Sequence, residues 1–179
     1  HSLTVVLLAS LGAGALAGLW NGILVAVLKI QPFVATLILM VAGRGIAQLV
    51  TEGAILTFNH PGLAFLGSGA IGALPVPILI WIAAAILAGL VVRRTALGFM
   101  IEAVGVNPRA SFRAGVNTRA LLVAVYVVSG LCAAVAGVIV AADIRGADAK
   151  NAGLWLELDA ILAVVIGGNA LLGGRFPIL

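Results

Sequence analysis

The chain has 179 residues, of which 63% are hydrophobic and 9% charged, with a mean hydropathy of +1.27. A soluble domain carries about a quarter of its residues as charged groups, and ten Lys and Arg with six Asp and Glu cannot cover a chain of this size in water. The composition excludes an ordinary soluble globule and requires lipid as solvent. The net charge of +4 does not point to nucleic acid, because the basic residues lie between hydrophobic spans rather than on a solvated face.

A spanning helix needs about 20 apolar residues, and residues 3–28 supply the first. Its glycines recur at Gly14, Gly18 and Gly22 in GALAGLWNG, so small residues line one face and another helix can approach closely. Tolerance of glycine in lipid is the plainer reading; three in register favour packing. KIQP at 29–32 interrupts, because Pro32 lacks a donor N–H and disfavours helix at Gln31. The second span covers 33–50. Arg44 lies about 10 Å before its end at 1.5 Å per residue; it either snorkels to the interface or faces a protein interior.

Residues 51–74 hold Glu52, Asn59, His60, Pro61 and several glycines and read as a loop with room for a short interfacial helix. Pro75 to Pro77 open a third span over 75–92, and a fourth covers 121–142. Cys132, the single cysteine, sits in that fourth apolar run and cannot form an intrachain disulfide. The polar segment DIRGADAKN (143–151) follows. The apolar run 154–166 would make about 20 Å of helix against a core of about 30 Å, and glycine pairs at 167–168 and 173–174 break it. A half-helix at membrane depth is tolerated only beside protein or a water-filled cavity, as in transporter sites.

Five of the ten Lys and Arg fall between Arg93 and Arg119, which places 93–119 in the cytoplasm and, by alternation, 51–74 and 143–153 outside with Lys29 inside. The basic segment is itself structured. Thr95 is expected to cap a helix to Val104 that stops at Gly105, and Asn107 to cap a second helix that begins with Pro108 and ends at Gly115. Asn117 or Thr118 caps the next span. The first short helix carries Leu97, Phe99, Met100, Ile101, Ala103 and Val104 against one charge, too apolar to lie free in water. It either rests on the membrane surface or is covered by a partner protein, with Glu102, Asn107, Arg109 and Arg113 as a polar rim.

These residues carry a resemblance. KIQPFVATLILMVAGRGIA, TALGFMIEAVGVNPRASFRAGVN and YVVSGLCAAVAGVIVAADIRGADAKNAGLWLELDAILAVVIGG are similar to segments of the permease subunits of bacterial ABC importers for ribose-, xylose- and galactose-type sugars. The third is closest to the galactofuranose-type branch. Two segments depart from the pattern: Asn169 and Ala170 stand where Thr-Ser or Gly-Ser is common, and Ser111 replaces the second of a paired alanine. The resemblance implies an all-α, polytopic transmembrane bundle with a cytoplasmic two-helix coupling loop and a discontinuous helix near the C-terminal end. It implies that the loop docks on a separate ATPase subunit, which uses ATP and Mg, through Phe99, Met100, Glu102, Ala103, Gly105, Asn107, Ala110 and Gly115. Gly105 would permit the tight turn between the helices. A second permease subunit, identical or not, a periplasmic sugar-binding protein, a sugar substrate and inner-membrane lipid are the other expected partners. Because the family has further spans on both sides, a chain that starts inside a hydrophobic segment and stops at GGRFPIL is expected to be an internal piece of a longer permease.

Other motifs lead nowhere. GSGAIG (67–72) fits a dinucleotide fingerprint, but no strand precedes it and ALPVP follows where a helix should open. No GxxxxGK[ST] occurs, so ATP is not expected on this chain. His1 and His60 have no partners at metal spacing and read as surface residues. Glu157 and Asp159 point about 200° apart on a helix, a poor acid pair. They read as anions favoured at a helix N-terminus, or as polar lining or a gate contact. A neutral sugar needs hydrogen-bonding groups and an aromatic face; Trp20, Asn21, Phe33, Thr36 and Asn169 have that chemistry at span or break positions. A secondary transporter or channel and an intramembrane enzyme are the competing classes. The first would keep more ionisable residues within its spans, and the second needs a nucleophile–base or metal set that the sequence lacks.

Overall fold

The computed structural model describes residues 3–72 and 74–167. Among these residues four helices are long and apolar enough to cross a membrane: α1 (Leu3–Ala26), α2 (Pro32–Val50), α4 (Val76–Arg94) and α7 (Thr118–Asp143). Shorter helices lie between and after them: α3 (Pro61–Ser68), α5 (Ala96–Val106), α6 (Pro108–Arg113) and α8 (Leu156–Ile166). Four two-residue strands, which the sequence did not announce, form two small ladders: β1 (Leu56–Thr57) with β4 (Gly146–Ala147), and β2 (Ala70–Ile71) with β3 (Leu74–Pro75), both antiparallel. The chain forms two compact units, His1–Leu79 with Leu122–Ala152 and Ile80–Leu121 with Gly153–Leu179.

In the first unit α1 and α7 run antiparallel with glycine between them. A Cβ on Gly14 would stand 2.5 Å from the carbonyl of Gly130, one on Gly18 would stand 2.8 Å from Val127 Cα, and one on Gly22 would stand 2.9 Å from Val123 Cα. The expected small-residue face is therefore a helix–helix seam, and its partner is α7. In lipid the hydrophobic effect does not drive helices together, so close backbone approach and dispersion do that work. The buried apolar residues are accordingly small for the most part (Ala26, Ala35 and Ala142, with Leu63, Val76 and Val104), whereas Leu8, Leu49 and Trp81 stand exposed.

Loop chemistry closes one end of this unit, the end expected to lie outside. The end of α2 is sealed by Glu52 at φ 52° and Gly53 at φ 70°, with Gly53 N–H donating to the Gln48 carbonyl at 2.9 Å. Leu56 pairs with Ala147 and Thr57 with Gly146, and Phe58 N–H extends the ladder to the Arg145 carbonyl at 3.1 Å. The loop after α2 and the loop after α7 are thus tied together on one side. Helix α3 packs Gly67 against the backbone of Ala142 and Asp143. That contact also disposes of the glycine fingerprint: Gly67 lies inside α3 and Gly69 caps its end, so the motif ends a helix instead of opening one.

Past β4, Asp148 Oδ1 accepts the amides of Lys150 (3.0 Å) and Asn151 (3.1 Å), and Oδ2 accepts the Asn151 side-chain amide (2.9 Å). These bonds, the one from the Asn151 side chain first, hold its carboxyl below the ordinary aspartate value. A lowered folded pKa means that the support is complete above the unfolded value and is lost as pH falls through the folded one. Hydrogen exchange at Lys150 and Asn151, relative to intrinsic rates, should accelerate on acidification in the wild type. In Asp148→Ala it should be fast at every pH.

In the second unit the basic segment is two helices joined by one residue. Two expectations need correction. Thr95 stands at the N-cap position of α5 as expected, but its side chain makes no capping bond there; its hydroxyl donates back to the Val91 carbonyl at the end of α4 instead. Gly105 does not stop α5 or make the turn, because the helix continues through it to Val106. The turn falls at Asn107, held extended at φ −151° and ψ 94° by the following Pro108, which disfavours helix before it. Gly115 does end the element, at φ +90°. The cap of α7 is Asn117, whose Oδ1 accepts Ala120 N–H at 3.1 Å.

Candidate functional site

Two regions, one in each unit, concentrate the chemistry. In the first unit a cleft of about 930 Å³ opens between α1, α2 and α7, with α3 and the paired loops at one end. Its walls follow from helical spacing. Val6, Ser10, Ala13, Ala17 and Asn21 recur every three or four residues on α1, as do Tyr126, Ser129, Ala133 and Gly137 on α7. Thr36 and Leu39 come from α2, and Phe58, His60 and Leu63 from the outer segments.

Among the described residues the polar groups of this wall are all formally uncharged, and no Asp, Glu, Lys or Arg lines it. Two hydroxyls are partly used by their own helices. Ser10 donates to the Leu7 carbonyl at 2.9 Å, and Thr36 to the carbonyls of Pro32 and Phe33 at 3.1 and 3.0 Å. Two further groups have no partner within the described residues. Asn21, 7% exposed, has a buried Oδ1 with no donor, and His60 has a buried Nδ1 with none. A buried unpaired polar atom is destabilising by about 1–3 kcal/mol, so both mark places where a further group belongs.

The structure divides the sequence-derived pathway residues. Asn21 and Thr36 stand in the cleft wall. Trp20 (57% exposed) and Phe33 (59%) are outside it, because neighbours in a helix sequence point about 100° apart. Asn169 lies outside the described residues. His60, expected at the surface, is half-buried in the wall; Pro61 starts α3 immediately after it, and α3 is folded onto the end of α7. Tyr126 and Ser129 were missed as well. Their spacing of three on the helix that faces the glycine seam was the available signal, but nothing local named α7 as that helix. Among the described residues no group of His, Cys, Asp or Glu is placed to hold a metal.

In the second unit α5 and α6 form a bracket. Asn107 organises it: its N–H donates to the Ala103 carbonyl at 3.0 Å and its Oδ1 accepts Ala110 N–H at 3.1 Å. Its carbonyl accepts both the N–H (3.1 Å) and the hydroxyl (3.0 Å) of Ser111. Gly98 is buried with its Cα against the backbone of Val92, where no side chain fits. With Gly98, Val104 and Ser111 turned inward, Phe99 (75% exposed), Val106 (59%) and Phe112 (68%) are left outward, with Met100 at their edge. Gly105, Asn107, Ala110 and Gly115 are exposed beside them, while Glu102 and Ala103 are half-buried. Replacing Asn107 by alanine should weaken the bracket by about 1 kcal/mol, the usual value of an N-cap, and hydrogen exchange at Ala110 and Ser111 should speed up accordingly.

Comparisons with known proteins agree with this architecture. A family model described as branched-chain amino acid transport system / permease component matches residues 1–176. The galactofuranose transporter permease protein YtfT of Escherichia coli is 68% identical over 178 residues, covering 99% of this chain and 52% of that protein. The fructose import permease protein FruF of Bifidobacterium longum is 43% identical, covering 96% and 49%, and the ribose import permease protein RbsC of Escherichia coli is 35% identical, covering 96% and 54%. The chain therefore spans about half the length of the curated relatives it matches. No solved structure matches.

Proposed function

Since the chain belongs to the branched-chain amino acid transport system / permease component family, we propose that it is the membrane-spanning part of an ATP-driven sugar importer of the bacterial inner membrane. The observation that carries this reading is the α5–α6 bracket: a two-helix element between spans, with Leu97, Phe99, Met100, Val106 and Phe112 exposed and Arg109 and Arg113 alongside. An element too apolar for water and too well capped for a linker is suited to a groove on another protein. That protein is a separate ATPase subunit, which binds ATP and Mg; closure of the ATPase dimer moves the bracket and, through α4 and α7, the spans. A second permease subunit completes the channel, and a periplasmic sugar-binding protein delivers the solute.

The substrate is a monosaccharide, and galactofuranose is the first candidate because the relative at 68% identity is named for it. A cleft wall whose described residues carry no charged side chain suits a neutral polyol better than an amino acid zwitterion. The test is uptake of labelled sugars by the full-length protein reconstituted with the ATPase and binding protein. Galactofuranose should accumulate only while ATP is hydrolysed. Accumulation driven by an ion gradient without ATP would identify a secondary transporter instead.

A further inference from the structure

We infer that the cleft of the first unit is a sugar-binding site contained within a single permease chain, with the Asn21 amide as its inner anchor and His60 at its outer mouth. The assignment rests on the sugar-importer reading and adds to it the place and the residues of binding. Asn21 is nine-tenths buried, yet its Oδ1 lacks a donor and lines the cleft. An amide oxygen in that state calls for an O–H or N–H from whatever occupies the space. His60 presents the same deficit at Nδ1. Asn21 lies near the inner end of α1, whereas His60 follows β1 in the loop that pairs with the segment after α7. The two unsatisfied groups thus bracket the length of the cleft.

The chemistry between them selects the ligand class. Hydroxyls of Ser10, Thr36, Tyr126 and Ser129 offer donors and acceptors without charge, on walls otherwise made of Gly, Ala, Val and Leu. A volume of about 930 Å³ lies within the range of small-molecule sites and exceeds one sugar ring, leaving room for accompanying water. A zwitterionic amino acid would meet no counter-charge on these side chains.

Ala133 on α7 lines the same cleft. In the full-length importer with Cys132→Ser, which removes the exposed native thiol, Ala133→Cys should be labelled by a water-soluble maleimide. Galactofuranose should slow that labelling and leucine should not. Adding Asn21→Leu, which keeps the volume and removes the acceptor, should raise the sugar concentration needed for protection about tenfold, the loss expected for one hydrogen bond in a dry site. His60→Ala should raise it as well, which keeps the assignment testable if Asn21→Leu fails to fold. A thiol that is never labelled would show that protein fills the cleft; labelling indifferent to sugar, or slowed by leucine, would equally overturn the assignment. Thiol protection by sugar in a protein whose uptake needs no ATP would instead leave the site standing and remove the importer reading.

Discussion

Gly18→Leu should separate α1 from α7 and leave a protein that is unstable in membranes and inactive in uptake. A Cβ at Gly18 lies 2.8 Å from Val127 Cα and also meets the Tyr126 carbonyl. Both are backbone atoms of a helix, so no rotamer change relieves the clash and the helices must move apart. Overpacking of this kind is destabilising by about 1–3 kcal/mol or more, and here the displacement also forfeits contacts at Gly14 and Gly22, because one seam carries all three. Gly12→Leu is the matched control: it lies on the same helix, six residues away, with nothing within 4 Å of its Cβ position. Thermal unfolding of the full-length protein in detergent should show Gly18→Leu several degrees below wild type and Gly12→Leu close to it. Equal stability of the two variants would mean that the glycine seam does not hold these helices together.

Phe99→Asp should abolish productive association with the ATPase while leaving the spans folded. Phe99 is 75% exposed on α5, so its replacement costs the folded permease about 0.5 kcal/mol or less. At the centre of a docking surface the same change removes an aromatic anchor and buries an unpaired carboxylate, typically a loss of about 2–4 kcal/mol, or roughly 30-fold to 1000-fold in affinity. Phe112→Asp, at the other end of the bracket, should behave alike, and Arg109→Ala at the rim should weaken association only mildly. Co-purification of the ATPase and ATP-dependent uptake are the readouts. An ATPase that stays bound to both aspartate variants would place the coupling contact elsewhere on the chain.

The helical elements were largely legible in the chain, and the reason is local. A spanning helix satisfies its own backbone hydrogen bonds and answers only to lipid, so apolar length sets its limits. The four spans expected at 3–28, 33–50, 75–92 and 121–142 stand at 3–26, 32–50, 76–94 and 118–143. That the loops after α2 and α7 share a side was legible from the alternation of spans, and the pairing of β1 with β4 puts those two loops together. The two short helices of the basic segment were found, but their punctuation was misread at two points. Thr95 can serve the helix before it as readily as the one after, and Gly105, though permitted to turn, yields to Pro108, which compels the turn at Asn107.

What the sequence determined unaided is therefore what each segment does alone: four helices long and apolar enough to cross a membrane, a short apolar helix expected at 154–166 and found at 156–166, and an apolar bracket between basic ends. What only the tertiary structure decided is which faces meet. The glycines of α1 could have met any helix; their contact with Gly130, Tyr126 and Val123 of α7 depends on a partner more than a hundred residues away. The same meeting makes the cleft, draws His60 in from a loop and leaves Trp20 outside beside Asn21 within. Helix formation is settled over a few residues by hydrogen bonds and solvent, whereas helix pairing is settled by the fit of two surfaces that are remote along the chain.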